Sequence, residues 1–240
     1  MNDHTANHHP SLERLKAYAD GICDKTESLL IEVHLHYCTA CSKQVGQFQK
    51  HLEAEVEQTS QSAPQMSTKK KDDLLAKILN QVDQKLTKTA CEDLGIPAGI
   101  LDELPDRKTW RWFSFWPSKG KVALLTSDIN GPYDLFIGKL DGSSKTPSHS
   151  HKHLEQTVPI LGEYVSNNQV FHKGDWSEMT PGDHHGPSSI QGGHCVCLIR
   201  SHRYGFRFTG LSWWRNLILA SVHAAIRLQA RIFNGQMSTS

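Results

Sequence analysis

The sequence predicts a chain of more than one domain: an all-α first half of about four helices, then an all-β second half, then one further helix. Three observations predict it. Up to about residue 88, apolar residues recur at spacings of three and four. From about 109 to 210, short β-type runs are broken by Gly, Pro, Asn and Ser, the pattern of an antiparallel sandwich or small barrel. Beyond 211 the helical spacing returns. These shifts divide the chain into a helical domain over 1–90, a linker over 91–108, a β domain over 109–210, and a C-terminal helix and tail over 211–240.

The first helix spans 11–20. Ser11 caps it, Leu12, Leu15, Tyr18 and Ala19 share a face, and Gly21 ends it. A second helix runs over about 26–36 with Leu29, Leu30 and Val33 inward, and a third starts at Thr39 with Val45, Phe48 and Leu52 in phase. Residues 57–68 form a polar linker. In a fourth helix, about 69–88, Leu74, Leu75, Ile78, Leu79, Val82 and Leu86 make an apolar stripe opposite Lys70, Asp73, Lys77, Gln84 and Lys88. Either the stripe packs on the first three helices, or Leu75, Ile78, Leu79 and Val82 are offered to a partner protein.

A second linker, 89–107, carries Gly95, Pro97, Gly99 and Pro105. An aromatic cluster follows: Trp110, Trp112, Phe113, Phe115 and Trp116. Strands are expected over 121–126, 133–140, 157–164, 195–200 and 204–208. In the last helix, 211–233, Trp214, Ile218, Val222 and Ala225 share a face. It packs on the β domain or on a second copy in a homodimer, with a membrane surface as the alternative.

Charge is balanced, 26 basic residues against 25 acidic, which removes any global argument for nucleic-acid or lipid binding. The first residues are polar and His-rich, so no signal peptide is expected, and no run of about 18 apolar residues spans a membrane. A reducing cytoplasm is therefore the expected compartment, and the six cysteines are not a disulfide framework. The fifteen histidines cluster at 4–9, 34–36, 149–153 and 184–185, which points to metal chemistry at more than one place.

The chain is organised around residues 34–41. His34 falls on the last turn of a helix, and Cys38 and Cys41 form a Cys-x-x-Cys turn before the next, so three donors face one point. Zinc takes four such ligands in a tetrahedron. His9 is the preferred fourth, which leaves His8 solvated. His36 faces elsewhere and reads as a surface residue, or at most as an alternative ligand. A redox dithiol is the rival reading, but no βαβ pattern follows.

In the second motif, His149 and His151 project to one side of a strand, and Glu155 is in phase with them. Together they supply three ligands for zinc, iron or manganese, with His185 as a distant fourth. His153 is not favoured as a ligand, and the bland alternative is a loop of exposed histidines. Cys195 and Cys197 alternate with Val196, so both sulfurs point to one face, either as simple core residues or as a redox pair beside the metal. A disulfide between them is disfavoured: the i, i+2 Cα separation of about 6.6 Å set by strand rise is near the upper limit.

Gly142, His149, His151, Glu155 and Gly162 resemble the first cupin motif, and Gly174, Pro181, Gly182 and His185 the second. One extra residue separates Gly142 from His149, and Ser189 stands where an Asn usually ends the second motif. The resemblance implies a cupin barrel with His149, His151, Glu155 and His185 as metal ligands.

The His-x₃-Cys-x₂-Cys helical half resembles the zinc-binding anti-sigma domain. Followed by a cupin and the Cys195–Cys197 pair, it is similar to the ChrR family of anti-sigma factors over residues 8–208. That resemblance implies zinc on His9, His34, Cys38 and Cys41, and zinc or another divalent metal in the cupin. It also implies that the fourth helix helps to clasp an extracytoplasmic-function sigma factor, without direct contact to nucleic acid. Release would follow singlet oxygen or organic hydroperoxide stress sensed by the cupin. The protein would then be a regulator and not an enzyme. The rival is a metal-dependent cupin enzyme, a dioxygenase or isomerase, against which only Arg200 and Arg207 offer themselves as substrate anchors.

Overall fold

The structure is a computed structural model. It describes residues 6–60, 110–115, 120–127, 131–190, 192–203 and 205–209, together with Leu94, Ile96, Ile100, Leu104 and Arg107. The fourth helix with Leu75, Ile78, Leu79 and Val82, and the C-terminal helix over 211–233, lie outside the described residues.

Helix α1 (Leu12–Ala19) is capped by Ser11, whose side chain accepts from the Arg14 N–H. It ends in a Schellman turn: Gly21 at φ +71° donates to the Tyr18 carbonyl, and Ile22 donates to Ala17. Only Leu15 of this helix is buried, and Leu12 is 60% exposed, so the expected four-residue face is narrower in fact. Helix α2 (Lys25–Tyr37) is capped by Asp24, which accepts from the Glu27 N–H at 2.9 Å. Leu29, Leu30 and Val33 are buried as the spacing predicts, joined by Ile31. Helix α3 (Thr39–Ser60) runs into the stretch that composition marks as a linker, because Glu57 and Gln58 are good helix formers and no Gly or Pro falls between Gly46 and Ser60. Leu52 stays 38% exposed.

Twelve strands follow among the described residues: β1 (Trp112–Phe115), β2 (Gly120–Ser127), β3 (Tyr133–Asp141), β4 (His149–His151), β5 (Glu155–Leu161), β6 (Tyr164–Ser166), β7 (Gln169–Phe171), β8 (Ser177–Met179), β9 (His184–His185), β10 (Ser188–Ser189), β11 (His194–His202) and β12 (Phe206–Phe208). All pairings are antiparallel. The large sheet has the order β1-β2-β3-β11-β5-β8, and two three-stranded sheets run β10-β6-β7 and β12-β4-β9. The expected strand over 157–164 is two strands. Gly162 breaks it at φ +67°, where an added Cβ would sit 1.8 Å from the His194 carbonyl oxygen. Asn167 and Asn168, both at positive φ, close the β6–β7 hairpin.

Strand alternation on β11 divides the apolar side chains between two clusters. Cys195, Cys197 and Ile199 join Leu140, Tyr164 and Phe171 inside the barrel. Val196 and Leu198, with Val158 and Ile160 of β5, join Leu29, Leu30 and Val33 of α2 in one continuous core. The helices therefore do not depend on one another alone for burial. Leu94, Ile96, Ile100 and Leu104 belong to the same core, so the Gly- and Pro-broken stretch expected as a linker also contributes buried side chains.

Candidate metal centres

The first centre sits where α2 meets α3. Cys38 ends α2 and begins α3: its N–H donates to the His34 carbonyl, and its sulfur accepts from the Cys41 N–H at 3.4 Å. His34, one turn back, and His9, before α1, complete a group of four donors within 4.8 Å of one another. His9 Nδ1 is 3.4 Å from each sulfur. His34 hydrogen-bonds through Nδ1 to the Gly174 carbonyl at 2.7 Å. Its Nε2 is buried with no hydrogen-bond partner among the described residues. A buried imidazole nitrogen aimed at two thiols, with the other nitrogen fixed by a carbonyl, is the arrangement a metal ligand requires. The donor set fits a metal ion.

His8 is half-buried rather than fully solvated. Its Nδ1 lies 3.2 Å from Asp175 Oδ2, and its ring rests on Phe171. His36 is exposed as expected. The turn between β7 and β8 organises this centre: Asp175 accepts from the backbone N–H groups of Asn7 and His8, Trp176 donates to the His8 carbonyl, and Gly174 holds His34. No spacing in the sequence announces these partners. The only signal is Gly174 within the second cupin-like motif.

The second centre lies within the barrel. His149, His151, Glu155 and His185 form another group of donors within 4.8 Å, all buried. They come from three strands, because residues 152–154 turn the chain from β4 to β5, so Glu155 does not share a strand with the two histidines as expected. His149 and His185 are register partners on β4 and β9, with their Nε2 atoms 2.9 Å apart. Their Nδ1 atoms face outward, His149 to the Pro147 carbonyl at 2.9 Å and His185 to Ser166 Oγ at 3.0 Å. Glu155 lies 3.6 Å from His185 Nε2 and 3.8 Å from His151 Nδ1. Neither nitrogen of His151 has a hydrogen-bond partner among the described residues. This donor set also fits a metal. His153 is outside it, exposed and stacked on His202 at 3.7 Å.

Beside this centre lies a cavity of about 120 Å³, lined by His149, Glu155, His185, Tyr164, Phe208 and Cys197 among others. The sulfurs of Cys195 and Cys197 are 3.3 Å apart, in contact but unbonded. The bond from Cys195, with burial and the neighbouring thiol's charge, raises the Cys197 thiol well above its ordinary value.

Burial pushes His34 down to about 4 and His151 down to about 4, and lowers His149. Burial alone would raise the Glu155 carboxyl, but the bond to His185 and the charges of the three imidazoles bring it below its ordinary value. Burial, then the contact with Cys38, pushes Cys41 up to about 12. Metal binding there displaces a thiol proton, so uptake strengthens as pH rises.

A pH dependence of stability follows for the metal-free chain. Above about pH 6.5 both His34 and His151 are neutral in the folded and unfolded states. As pH falls toward 4, the unfolded chain takes up protons that the folded chain refuses, and stability drops by a few kcal/mol per histidine. Denaturant titration at pH 7 and pH 4.5 checks this. An unchanged midpoint would show that these imidazoles are not buried neutral.

No known family profile matches the chain. It is 26% identical over 198 residues to the anti-sigma-E factor ChrR of Cereibacter sphaeroides, covering 81% of this chain and 89% of that protein. Among solved structures, it is similar to the complex of Rhodobacter sphaeroides SigE with the anti-sigma ChrR. The TM-score is 0.62 at 24% identity, over 82% of this chain and 99% of that one. An RmlC-like cupin protein from Ralstonia eutropha overlaps 40% of this chain and 66% of its own, at 18% identity and a TM-score of 0.36. In sequence and in fold the chain is similar to the anti-sigma factor ChrR, with a His₂Cys₂ cluster in its helical part and a His₃Glu cluster in its β barrel.

Proposed function

We propose that the protein is an anti-sigma factor that sequesters an extracytoplasmic-function sigma factor and so controls transcription. The observation that carries this is that sequence and fold point to the same relative, ChrR, along four-fifths of the chain. The domains divide near residue 100, and capture belongs to the helical part, with Leu75, Ile78, Leu79 and Val82 contributing to the sigma-facing surface. His9, His34, Cys38 and Cys41 hold zinc, which two thiolates and two imidazoles suit best. Zinc there supplies a cross-link between the segment before α1 and the junction of α2 and α3.

The barrel is the sensory half. His149, His151, Glu155 and His185 hold zinc or another divalent ion. An organic hydroperoxide entering the cavity would meet the Cys197 sulfur, which burial and the Cys195 contact keep as a thiol, so its oxidation is slow and answers sustained peroxide. Oxygen transfer to sulfur gives a sulfenic acid and the corresponding alcohol, RSH + ROOH → RSOH + ROH. The added oxygen puts a polar group on a sulfur packed 3.3 Å from Cys195 and among apolar side chains of the barrel, and the disturbed packing of β11 loosens the sigma complex. Supporting this over an enzyme, Arg200 points away from the cavity toward α2, and Arg207 is exposed. Neither anchors a substrate at the metal.

Co-expression with a sigma factor of this class tests the proposal. A complex of one-to-one stoichiometry that blocks promoter-directed transcription by core polymerase is expected. Absence of a complex, with turnover of a small molecule by the iron-loaded protein, would favour the enzyme.

A further inference from the structure

Helix α2 carries His34 at its C-terminal end and is held at both ends by the barrel. At the C-terminal end the Gly174 carbonyl fixes the ring of His34. The approach is close: Gly174 lies at φ +87°, and a Cβ there would be 2.4 Å from Tyr37 Cβ. At the N-terminal end stands Arg200 of β11, only 3% exposed. Its Nε donates to Thr26 Oγ1 at 3.0 Å, its Nη1 donates to Gln156 Oε1 at 2.8 Å, and its Nη2 pairs with Asp24. The guanidinium also lies over the Tyr133 ring.

Asp24 has two tasks. Its Oδ1 caps α2 by accepting from the Glu27 N–H, and its Oδ2 takes the Arg200 guanidinium. A second pair extends the contact, since Arg14 bridges Glu27 of α2 and Glu178 of β8. A buried guanidinium is unfavourable unless its partners stay in place, so this end of the contact is either fully made or broken. The N-cap of α2 therefore depends on where β11 stands, and β11 is the strand that carries Cys195 and Cys197.

We propose that Arg200 and the Gly174 carbonyl are a two-ended clamp through which the barrel holds α2, so that docking of the barrel and metal affinity of the His9–His34–Cys38–Cys41 cluster are thermodynamically linked. Arg200 is a positioning residue in this scheme, about 15 Å along the helix from His34 by helical rise. The linkage is reciprocal: what weakens the clamp weakens the metal, and loss of the metal weakens the hold of the barrel on the two ends of α2, while its apolar face stays packed on the sheet. The inference rests on the reading that this cluster holds zinc.

The test uses the full chain and Co(II) as probe. Thiolate-to-cobalt absorption reports the Cys38–Cys41 centre alone, because the barrel centre has no thiolate ligand. Zn(II) then displaces the cobalt and gives the zinc affinity. Arg200→Met is expected to lower that affinity about fivefold or more, to speed amide exchange over residues 25–31, and to leave metal binding at the barrel centre unchanged. Asp24→Asn keeps a capping side chain and removes the charge partner, so it carries the test if Arg200→Met fails to fold; the same direction with a smaller change is expected. Tight thiolate–cobalt binding in the wild type with no change in either variant would overturn the linkage while leaving the zinc reading intact. No thiolate–cobalt band in the wild type would overturn both.

Discussion

Replacing Cys38 and Cys41 together by alanine is expected to remove one metal per chain, loosen the junction of α1, α2 and α3, and abolish sigma capture. The expected loss is large. Structural zinc sites of this donor type are worth about 10 kcal/mol or more in peptides that have no other core. Here the cost is smaller, because Leu29, Leu30 and Val33 share a core with β5 and β11 and keep α2 attached to the sheet. The loss concentrates on residues 6–11 and on the first turn of α3. These are tied together by His9 Nδ1, 3.4 Å from each sulfur. Metal analysis, amide exchange and sigma pull-down measure it. Unchanged exchange over these segments and undiminished capture would show the centre to be dispensable.

Replacing Glu155 by alanine is expected to empty the barrel centre while sparing the first. The carboxylate is the only negative charge in that donor set. Without it, three imidazoles face one another with ring centroids 4.5 to 4.9 Å apart and nothing to balance a cation. Loss of an outer-shell partner alone costs about 10- to 100-fold in metal affinity, and loss of a ligand exceeds that. Metal content should fall from about two per chain to about one, with the barrel's thermal midpoint lowered and sigma capture retained. Two metals per chain in this variant would remove Glu155 from the centre.

Both centres are legible in the sequence, for different reasons. His34, Cys38 and Cys41 are neighbours in the chain, and helical geometry at the turn fixes how they meet. His149 and His151 are two apart on a strand, and a period of two puts them on one side. Glu155 carries the right chemistry on the wrong expected element: the turn at 152–154 has no Gly or Pro to mark it. What holds the centres is less visible. Arg200 shows in the sequence only as a cation on a strand, and its partners Asp24 and Thr26 are more than 170 residues away. Asp175, which organises His8 and the segment before α1, is equally remote from them. Long-range polar pairing follows from how the helices dock on the sheet, and no local periodicity encodes that. The same docking explains why Leu94, Ile96, Ile100 and Leu104, set among Gly and Pro, are buried.

The most direct test is to count metal in the purified full-length protein and, in the same preparation, to measure its stoichiometry with a co-expressed extracytoplasmic-function sigma factor. About two metals per chain in a one-to-one complex, with the complex lost when Cys38 and Cys41 are replaced, is the predicted result. One metal per chain and no complex would contradict the account, and would leave the barrel as a metal-binding protein with a different task.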